Sequence, residues 1–586
     1  MLRFLRFFVR LFALIGFLVV AAMVTGIVLA VRHEPAQPDN VVLELDLRDP
    51  LAEGSVDRLG SLLGHETTFQ EVLDALERGR DDPRVKGVLA RFGGDGASFA
   101  QVQELRAAVE RFRASGRFAI AFAESYGDTG AGNRSYLLAS AFDEVWMQPL
   151  GLLGLTGLSA QIPFARGALD KLDVQPQLLQ REEYKSLADS VMRSDFTPAH
   201  REMMESLLGD LTGQIVDGVA ASRRLPPAAV KAAMDRAPLL DREAMEARLI
   251  DRLGYADEAR EEALRRAGAG PGADTMEVAD YLAIAGRPNR GGPTVALIHA
   301  TGTITGGDSG KPGLGEVTAG SETIVEAIED AVDDPDVKAI LFRIDSGGGS
   351  VTASETIRRA LVKARQSGKP VIASMGGTAA SGGYWIALAA DRIVASPATV
   401  TGSIGVVAGK MSVAGLSERL GVHWGILDTA ANAGLWSPFR PFGPAGEERL
   451  NAIIDSSYAT FLARVAEARH LTPEQARAAA KGRVWTGAQA RDLGLIDELG
   501  GITTALTLAR QAAKLDPDAP VTLTPYPRPK PVLRELLDLA SGKGDLVEAA
   551  AVLAGLRPAL AELAPLVNAA RGGAVEARMP PLGIGR

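Results

Sequence analysis

The sequence predicts an α/β protein made of two tandem repeats with mostly parallel sheets, preceded by one transmembrane helix. Three observations predict this class. Apolar strand-like runs alternate with amphipathic helices, the second half of the chain repeats the first, and an uncharged stretch stands near the N-terminus. Alternating strands and helices favour parallel sheets with crossover helices. The 586 residues also exceed what one hydrophobic core usually holds.

Residues 11–31 form the uncharged stretch, and arginines precede it at positions 3, 6 and 10. A helix of this length spans roughly 30 Å, the thickness of a bilayer core. A cleaved signal peptide is the alternative, but its apolar region is usually only about 7–15 residues long. We therefore expect an uncleaved, single-pass anchor in a lipid bilayer, which in a bacterium with an outer membrane is the inner membrane. The arginines place the N-terminus in the cytoplasm and the rest of the chain on the outer side, which in such a cell is the periplasm.

The two halves match at three places in the same order. In the first, TFQEVLDALERGRDDPRVKGVLARF (68–92) parallels TIVEAIEDAVDDPDVKAILFRI (323–344). Further along, SYLLASAFDEVWMQP parallels GYWIALAADRIVASP, and LIDRLGYADEA parallels LIDELGGITTA. Three matches in one order indicate an internal duplication.

The repeats divide the chain into four parts. We assign residues 1–40 to the anchor and a linker, 41–290 to the first repeat, 291–515 to the second, and 516–586 to a C-terminal extension. The extension is rich in Pro, Ala and Leu, predicts one or two amphipathic helices and shows no chemistry. In parallel sheets, ligand sites gather at the carboxyl ends of strands, where the glycine-rich segments of this chain lie.

The composition excludes several kinds of site. Apolar residues make up 46% of the chain and charged residues 23%, which is typical of a globular protein. The net charge is −9 without a long basic stripe, so we expect no nucleic-acid partner. The chain has no cysteine, which excludes disulfides, thiolate catalysis and cysteine-based metal sites. We expect neither a cofactor nor a metal.

Two segments of the second half follow buried strands and carry candidate chemistry. The first contains Gly347, Gly348 and Gly349, whose N–H groups can point at a ligand, although such a turn is more often structural. The second places Ser381 at the start of a helix, where the commonest role of a serine is to cap the helix. Alternatively, the helix dipole and the N–H of Gly382 would stabilise an oxyanion beside a nucleophilic Ser381.

A nucleophilic serine needs a base, and no histidine lies in the glycine-rich segments. A Ser-His-Asp triad assembled in space stays open, but no sequence feature supports one.

Four longer segments resemble one protein family. They are REEYKSLADSVMRSDFTP (181–198), DSGGGSVTASETIRRAL (345–361), MGGTAASGGYWIALAADRIVASPATVTGSIGV (375–406) and GRVWTGAQARDLGLIDELGG (482–501). Over about residues 40–515 the chain resembles signal peptide peptidase A in its long, two-repeat form, also called protease IV. The resemblance implies a crotonase/ClpP-like fold in each repeat and a serine endopeptidase that uses a Ser/Lys dyad.

The resemblance implies roles for individual residues. Ser381 matches the nucleophile, Lys185 matches the general base, and Ser403 matches the serine that orients the lysine. Gly349 matches the N–H donor of the oxyanion turn, and Gly382 is expected to supply a second N–H. The family turn reads Ser-Pro-Gly-Gly, whereas this chain has glycine at position 347, which loosens the turn without removing an N–H donor.

The repeat comparison assigns the two parts of the dyad to different halves. In the first half, Asn133 stands at the position of Ser381, and the glycine-rich turn has decayed to GGDGAS. In the second half, no lysine occurs between Lys410 and Lys481, where the match to YKSLADS lies. Each half keeps one member, which predicts that the halves close on each other. A solvated surface position is the ordinary alternative for a single lysine.

A lysine can act as a base only where burial lowers its pKa. An ordinary lysine has a pKa of about 10.4 and is protonated at neutral pH, but desolvation disfavours the charged form. Reaching a pKa of about 7.5 would cost roughly 4 kcal/mol. We therefore expect Lys185 in a water-poor crevice between the halves.

The resemblance also implies substrates and assembly. It implies hydrophobic peptides, such as remnant signal peptides, as substrates, and a homotetramer. One alternative is a crotonase-type acyl-CoA enzyme, which would leave the Ser/Lys pair and the anchor without a role. Another is a non-catalytic membrane scaffold of the same fold, which would predict a disrupted dyad.

Overall fold

The computed structural model describes residues 39–54, 67–128, 130–310, 316–528 and 576–578. Within them the chain has an α/β fold with mostly parallel sheets, as the sequence predicts. The predicted anchor at residues 11–31 and the helices predicted in the extension lie outside these ranges. None of the helices inside them is long and apolar enough to span a membrane.

The first half alternates strands with helices from residue 41 to residue 285. Its strands are β1 (Val41–Leu47), β2 (Val85–Phe92), β3 (Phe118–Ala123), β4 (Glu144–Met147), β5 (Leu152–Leu153), β6 (Gln175–Gln180), β7 (Leu239–Leu240), β8 (Arg252–Leu253) and β9 (Met276–Glu277). Its helices are α1 (Phe69–Asp81), α2 (Phe99–Ala114), α3 (Asn133–Ala139), α4 (Arg166–Lys171), a 3₁₀ turn (Ser186–Ala188), α5 (Asp189–Met192), α6 (Pro198–Arg223), α7 (Pro227–Met234), α8 (Asp241–Glu246), α9 (Ala256–Ala267) and α10 (Val278–Ala285).

The second half repeats this alternation. Its strands are β10 (Thr294–Thr301), β11 (Thr303–Thr305), β12 (Thr318–Gly320), β13 (Val337–Ser346), β14 (Gly348–Ser350), β15 (Val371–Ala380), β16 (Arg392–Ala395), β17 (Val400–Gly402), β18 (Val407–Ser412), β19 (Val484–Thr486), β20 (Glu498–Leu499), β21 (Thr522–Tyr526) and β22 (Glu576–Arg578). Its helices are α11 (Ser321–Asp333), α12 (Val351–Gln366), α13 (Gly382–Ala387), α14 (Ala414–Arg419), α15 (Pro444–Arg469), α16 (Pro473–Ala479), α17 (Gly487–Asp492) and α18 (Ile502–Ala512).

Each half has a large sheet with the same strand order. The first sheet runs β8-β4-β3-β2-β1-β9, and all its pairs are parallel. The second sheet has β20, β16, β15, β13, β10 and β21 in corresponding places, and β17 and β19 extend it beside β15. The matching order is the structural counterpart of the sequence repeat. Strand β21 comes from the segment that the sequence assigns to the extension.

Two long helices show the repeat most clearly. Helices α6 and α15 each have 26 residues and begin with a proline in the first turn, where the missing N–H costs no hydrogen bond. Each ends before a residue in the left-handed region, Arg224 with φ 52° and His470 with φ 54°. Such a residue ends a helix by turning the chain out of it.

One hydrophobic core contains residues of both halves, and a second core lies within the second half. Alternate residues of a strand point to opposite faces, so the central strands β10 and β13 have two buried sides. Val295, Leu297 and Leu341 join the core that includes the first half, whereas Ile298 and Phe342 pack in the other core of the second half. The second sheet therefore lies against the first half with one whole face.

A smaller third sheet joins strands of both halves, in the order β12-β11-β14-β22-β18-β6. Strand β6 of the first half pairs antiparallel with β18 of the second, from Gln175 opposite Ser412 to Gln180 opposite Val407. Just after β6, the N–H of Arg181 donates to the carbonyl of Val406 at 3.0 Å. This pairing carries the segment that contains Lys185 onto the second half.

Candidate active site

Ser381 stands in a sharp turn between strand β15 and helix α13. Its φ of 55° and ψ of −113° lie outside the common regions for a side-chain-bearing residue, a strain that tends to occur at functional sites. Its N–H donates to the carbonyl of Gly402 at 2.8 Å, which fixes the turn. Ser381 occupies the cap position of α13, but its side chain makes no capping hydrogen bond. The hydroxyl is therefore directed elsewhere.

That hydroxyl meets Lys185, which comes from the first half. Nζ of Lys185 lies 2.8 Å from Oγ of Ser381, and also 2.9 Å from the carbonyl oxygen and 3.0 Å from Oγ of Ser403. All three residues have 0% of their surface exposed. The structure thus brings together, without solvent contact, three residues that the sequence singles out.

Burial lowers the pKa of Lys185 from an ordinary 10.5 to about 7. A neutral amine has two N–H groups and one lone pair. The two oxygens of Ser403 can accept the two N–H groups, which leaves the lone pair for the hydroxyl of Ser381. This is the arrangement that proton transfer from serine to lysine requires.

Two glycines leave room for the lysine. A Cβ on Gly482 would lie 2.5 Å from Lys185 N, and a Cβ on Gly405 would lie 3.2 Å from Lys185 Cδ. The neighbouring Tyr184 donates its N–H to the carbonyl of Lys481 at 3.1 Å. The backbone around residue 482 therefore presses directly on the segment that carries the amine. Sequence reasoning misses both glycines, because no local pattern links them to a residue of the other half.

The glycine-rich turn lies next to the start of helix α13. A Cβ on Gly382 would lie 3.1 Å from the backbone nitrogen of Gly349, and a Cβ on Gly349 would lie 2.1 Å from the carbonyl oxygen of Ile304. Only glycine fits either place. The backbone of Gly382, the residue after Ser381, therefore passes close to the peptide nitrogen of Gly349.

Ser346 stabilises the glycine-rich turn, which has Gly347 in place of the proline of the family turn. Its hydroxyl donates to the carbonyl of Gly302 at 2.5 Å and accepts the N–H of Gly348 at 3.1 Å. The side chain thereby supplies a constraint that the residue at 347 does not.

Comparison with known proteins identifies the family of this chain. The model of Peptidase family S49 matches residues 111–269 and 363–516, which is more than half of the chain. The chain is 33% identical to Protease 4 of Salmonella typhi, over 79% of this chain and 74% of that protein. It is 31% identical to Protease 4 of Haemophilus influenzae, over 78% and 74% respectively. This chain belongs to peptidase family S49.

The resemblance to signal peptide peptidase A is thereby confirmed. The chain is also 30% identical to a chloroplastic serine protease SPPA of Arabidopsis thaliana, over 86% of this chain and 74% of that protein. A solved structure of a ClpP1 mutant from Listeria monocytogenes matches 36% of this chain with a TM-score of 0.23 and 18% identity, covering 94% of its own chain. The chain is a serine peptidase of the S49 family.

The first half of this S49 peptidase retains a turn that corresponds to the site, but hydrogen bonds within the first half occupy its polar groups. Asn133, at the position of Ser381, donates through Nδ2 to the carbonyl of Gly157 at 2.8 Å. Oδ1 of Asp95 accepts the N–H groups of Arg134 at 2.9 Å and Ser135 at 2.8 Å. Arg134 corresponds to Gly382 in the repeat alignment. A carboxylate from the decayed turn thus occupies the first amides of helix α3.

A buried ion network ties the halves of the S49 peptidase together. Nε of Arg343, on β13, donates to Glu53 at 2.9 Å, and Nη2 donates to Glu104 at 2.8 Å. Nη1 reaches Oγ of Ser374 on β15 at 3.0 Å. Burial raises the pKa of Glu53, but the Arg343 guanidinium outweighs burial and holds that pKa below its ordinary value. Sequence reasoning misses this network, which joins distant segments.

Histidine does not take part in the described site. No hydrogen bond joins Ser381 to any of the four histidines within the described ranges, which are His200, His299, His423 and His470. Both ring nitrogens of His200 and Nδ1 of His299 are buried without a hydrogen-bond partner in the structure. The alternative of a Ser-His-Asp triad therefore gains no support from the described residues.

Proposed function

We propose that this S49 peptidase is an endopeptidase in which Ser381 is the nucleophile and Lys185 is its general base. The observation that carries the proposal is the 2.8 Å contact between the buried Nζ and Oγ atoms. It is supported by the low pKa of about 7 that burial gives the lysine, because about half of such amines are neutral at pH 7 and able to accept a proton.

The proposed reaction follows the usual two stages of acyl transfer. Neutral Lys185 accepts the proton of Ser381, and Oγ attacks the scissile carbonyl carbon. The N–H groups of Gly349 and Gly382 donate to the oxyanion of the tetrahedral intermediate. Lys185 then gives its proton to the leaving amine as the peptide bond breaks. In the second stage a water molecule, deprotonated by Lys185, releases the acyl group and restores the hydroxyl.

Ser403 holds the lysine in this scheme. Both of its oxygens lie within 3.0 Å of Nζ, and its backbone is fixed by donation of its N–H to the carbonyl of Arg483 at 2.7 Å. The hydroxyl accepts an N–H of the amine without adding charge. A negatively charged partner at this place would raise the pKa of the lysine and keep the amine protonated.

The proposed substrates are hydrophobic peptides, such as remnant signal peptides. One relative, 33% identical over 185 residues, is named a putative signal peptide peptidase of Enterococcus faecium. The proposal includes a crotonase/ClpP-like fold in each half, an anchor at residues 11–31, a periplasmic active site and a homotetramer. An anchor would hold the site beside the bilayer, where such peptides remain after cleavage.

The test is hydrolysis of a hydrophobic fluorogenic peptide by the full chain and by four variants of it. We expect Ser381→Ala and Lys185→Ala each to lower kcat by several orders of magnitude, and the double variant to lose little more, because the pair acts as a unit. Lys231→Ala, an exposed lysine on α7, is the matched control and keeps wild-type activity. Near-normal activity of Lys185→Ala would refute the dyad.

A covalent probe separates the alternatives. A fluorophosphonate should label Ser381 in the wild type and fail to label Ser381→Ala. An acyl-CoA enzyme of related fold has no need of an activated serine, and a scaffold would show neither labelling nor hydrolysis. The intact Ser381–Lys185 contact argues against both alternatives.

A further inference from the structure

Strand β15, which leads to the proposed nucleophile, has a bulge opposite Asp345 of the neighbouring strand β13. In this parallel pair, Ile344 lies opposite Met375. The next pair along the two strands is Ser346 opposite Ala379. Asp345 alone therefore faces three residues of β15. A bulge bends its strand, and bulges are frequent beside active sites, where they aim a side chain.

The carboxylate of Asp345 holds this bulge. Its Oδ1 accepts the N–H of Thr378 at 2.8 Å. Gly376 leaves room for the acid, because a Cβ at position 376 would lie 3.1 Å from the Cβ of Asp345. The hydroxyl of Thr399 donates to the carbonyl of Gly376 at 2.8 Å. The carboxylate thus takes the place of a backbone acceptor in the ladder between β13 and β15.

Beyond the bulge, β15 is aligned with β17. Ala380 lies opposite Gly402 of that strand. The residue that follows Ala380 is Ser381, and the residue that follows Gly402 is Ser403, which holds the proposed base. On β13, Asp345 is directly followed by the glycine-rich turn with the proposed oxyanion donor. One hydrogen bond therefore links the strand that carries the nucleophile to the strand that carries this turn.

The first half has the corresponding strands without this carboxylate. In the repeat alignment, Gly93 stands at the position of Asp345. Strand β3 is the counterpart of β15, and its last pair with β2 is Ala123 opposite Phe92, at the place of Met375. Strand β3 ends there, whereas β15 continues through the bulge. The half without the nucleophile thus lacks both the carboxylate and the continuation of the strand.

We propose that Asp345 is a positioning residue, whose Oδ1 holds the bulge that places Ser381 beside the oxyanion turn. The inference rests on the proposed function and adds a residue to that site. The role needs an acceptor oxygen and not a charge. Burial and the Glu53 carboxylate raise the pKa of Asp345 to about 7, with Glu104 adding to this shift and Arg343 opposing it. A protonated carboxyl still has an oxygen that accepts an N–H.

Replacement of Asp345 in the full chain tests the acceptor. Asp345→Ala removes it, and we expect kcat and kcat/KM for a fluorogenic peptide to fall equally, by about 100-fold, because a displaced nucleophile weakens only the transition state. Asp345→Asn keeps an acceptor oxygen at the same reach, so it should restore most of the lost kcat and keep the pH midpoint of the wild type. Unchanged kcat in Asp345→Ala, or an equal loss in both variants, overturns the proposal.

A second variant separates position from charge. Asp345→Glu keeps the carboxylate but moves its oxygens outward by one methylene, so we expect a loss of kcat although the charge remains. Wild-type kcat in Asp345→Glu overturns the proposal. The rate at which a fluorophosphonate labels Ser381 follows the nucleophile without a peptide, and it should fall in the alanine and glutamate variants. Labelling of both at the wild-type rate also overturns it.

Asp391 provides the matched control at the other end of β15. Its carboxylate accepts the N–H of Val371, the first residue of the strand, at 2.9 Å. Asp391→Ala should lower the melting temperature and leave kcat unchanged. A loss of kcat in Asp391→Ala as large as that in Asp345→Ala would attribute the effect to a weaker strand and overturn the proposal. Failure of the proposed function appears separately, as wild-type hydrolysis by Ser381→Ala.

Discussion

Gly482 lies directly against the backbone of Lys185, although the two residues belong to different halves of the chain. A Cβ at position 482 would stand 2.5 Å from the nitrogen and 2.6 Å from the Cβ of Lys185. Its N–H also donates to the carbonyl of Ile404 at 2.9 Å, which ties it to the turn after Ser403. The position of the amine therefore depends on a residue that makes no contact through a side chain.

Gly482→Ala should displace the lysine and lower kcat by about 100-fold, because a shift near 1 Å in a catalytic group can cost that much. Hydrolysis of a fluorogenic peptide measures it. Gly494→Ala is the matched control, since Gly494 has a similar positive φ, 71° against 75°, but its added Cβ meets nothing closer than 3.8 Å. Equal loss in both variants would attribute the effect to backbone strain and contradict the prediction.

The low pKa of Lys185 predicts the pH dependence of the reaction. Only the neutral amine accepts a proton, so kcat/KM should rise with pH, reach half its maximum near the pKa of about 7, and then stay level. The profile is measured with a substrate that does not titrate in this range. Lys185→Arg should be inactive throughout, because arginine does not lose its proton in proteins. A level profile from pH 5 to 9 would contradict a lysine base.

The same burial makes Lys185 costly for stability. Its pKa is about 7 in the folded chain and 10.5 ordinarily, so between these pH values the unfolded chain binds more protons. The stability of the wild type therefore rises with pH across this window, and below pH 7 the full penalty applies, roughly 5 kcal/mol at most.

Lys185→Met should accordingly raise the melting temperature while abolishing activity. Methionine is also long and unbranched, and it needs no hydrogen bond. The difference from the wild type should be largest at pH 6 and should shrink as the pH rises from 7 toward 10. Thermal unfolding of both chains at several pH values measures it. A lower melting temperature for the methionine variant, or a difference that does not change with pH, would contradict the prediction.

The sequence predicts that Lys185 and Ser381 meet, because comparison of the two repeats shows which member of the dyad each half lacks. Asn133 stands where a serine would be, and the second half has no lysine where Lys185 would be. The strand–turn–helix patterns around residue 381 also predict the local fold. These inferences need only neighbours in sequence or matched positions in the repeat.

The sequence does not predict contacts whose partners share neither proximity nor pattern. Asp95 appears only as part of a decayed turn, yet its carboxylate occupies two amides that lie about 40 residues away. Strand β22 has three residues, too few for an alternating pattern. Arg343 looks like any arginine in a strand, and its partner Glu53 is 290 residues distant. Tertiary packing alone decides these positions.

Arg343 gives the last prediction, because it is the only cation that hydrogen-bonds both Glu53 and Glu104 among the residues described. Arg343→Met would leave two buried carboxylates without their partner. Removal of one member of a buried ion network typically costs about 3–5 kcal/mol. We expect a loss of this size in urea unfolding, with Arg265→Met as control, since Arg265 is 71% exposed and pairs with Glu262 at the surface.

A compensated variant separates the two reasons for that loss. In Arg343→Met combined with Glu53→Gln and Glu104→Gln, positions 53 and 104 no longer carry buried charges without a partner, so most of the lost stability should return. Activity need not return with it, because Arg343 also hydrogen-bonds Ser374 on the strand that leads to Ser381. If the triple variant were as unstable as Arg343→Met, lost packing rather than unpaired charge would explain the effect, and the network would not be what holds the two halves in register.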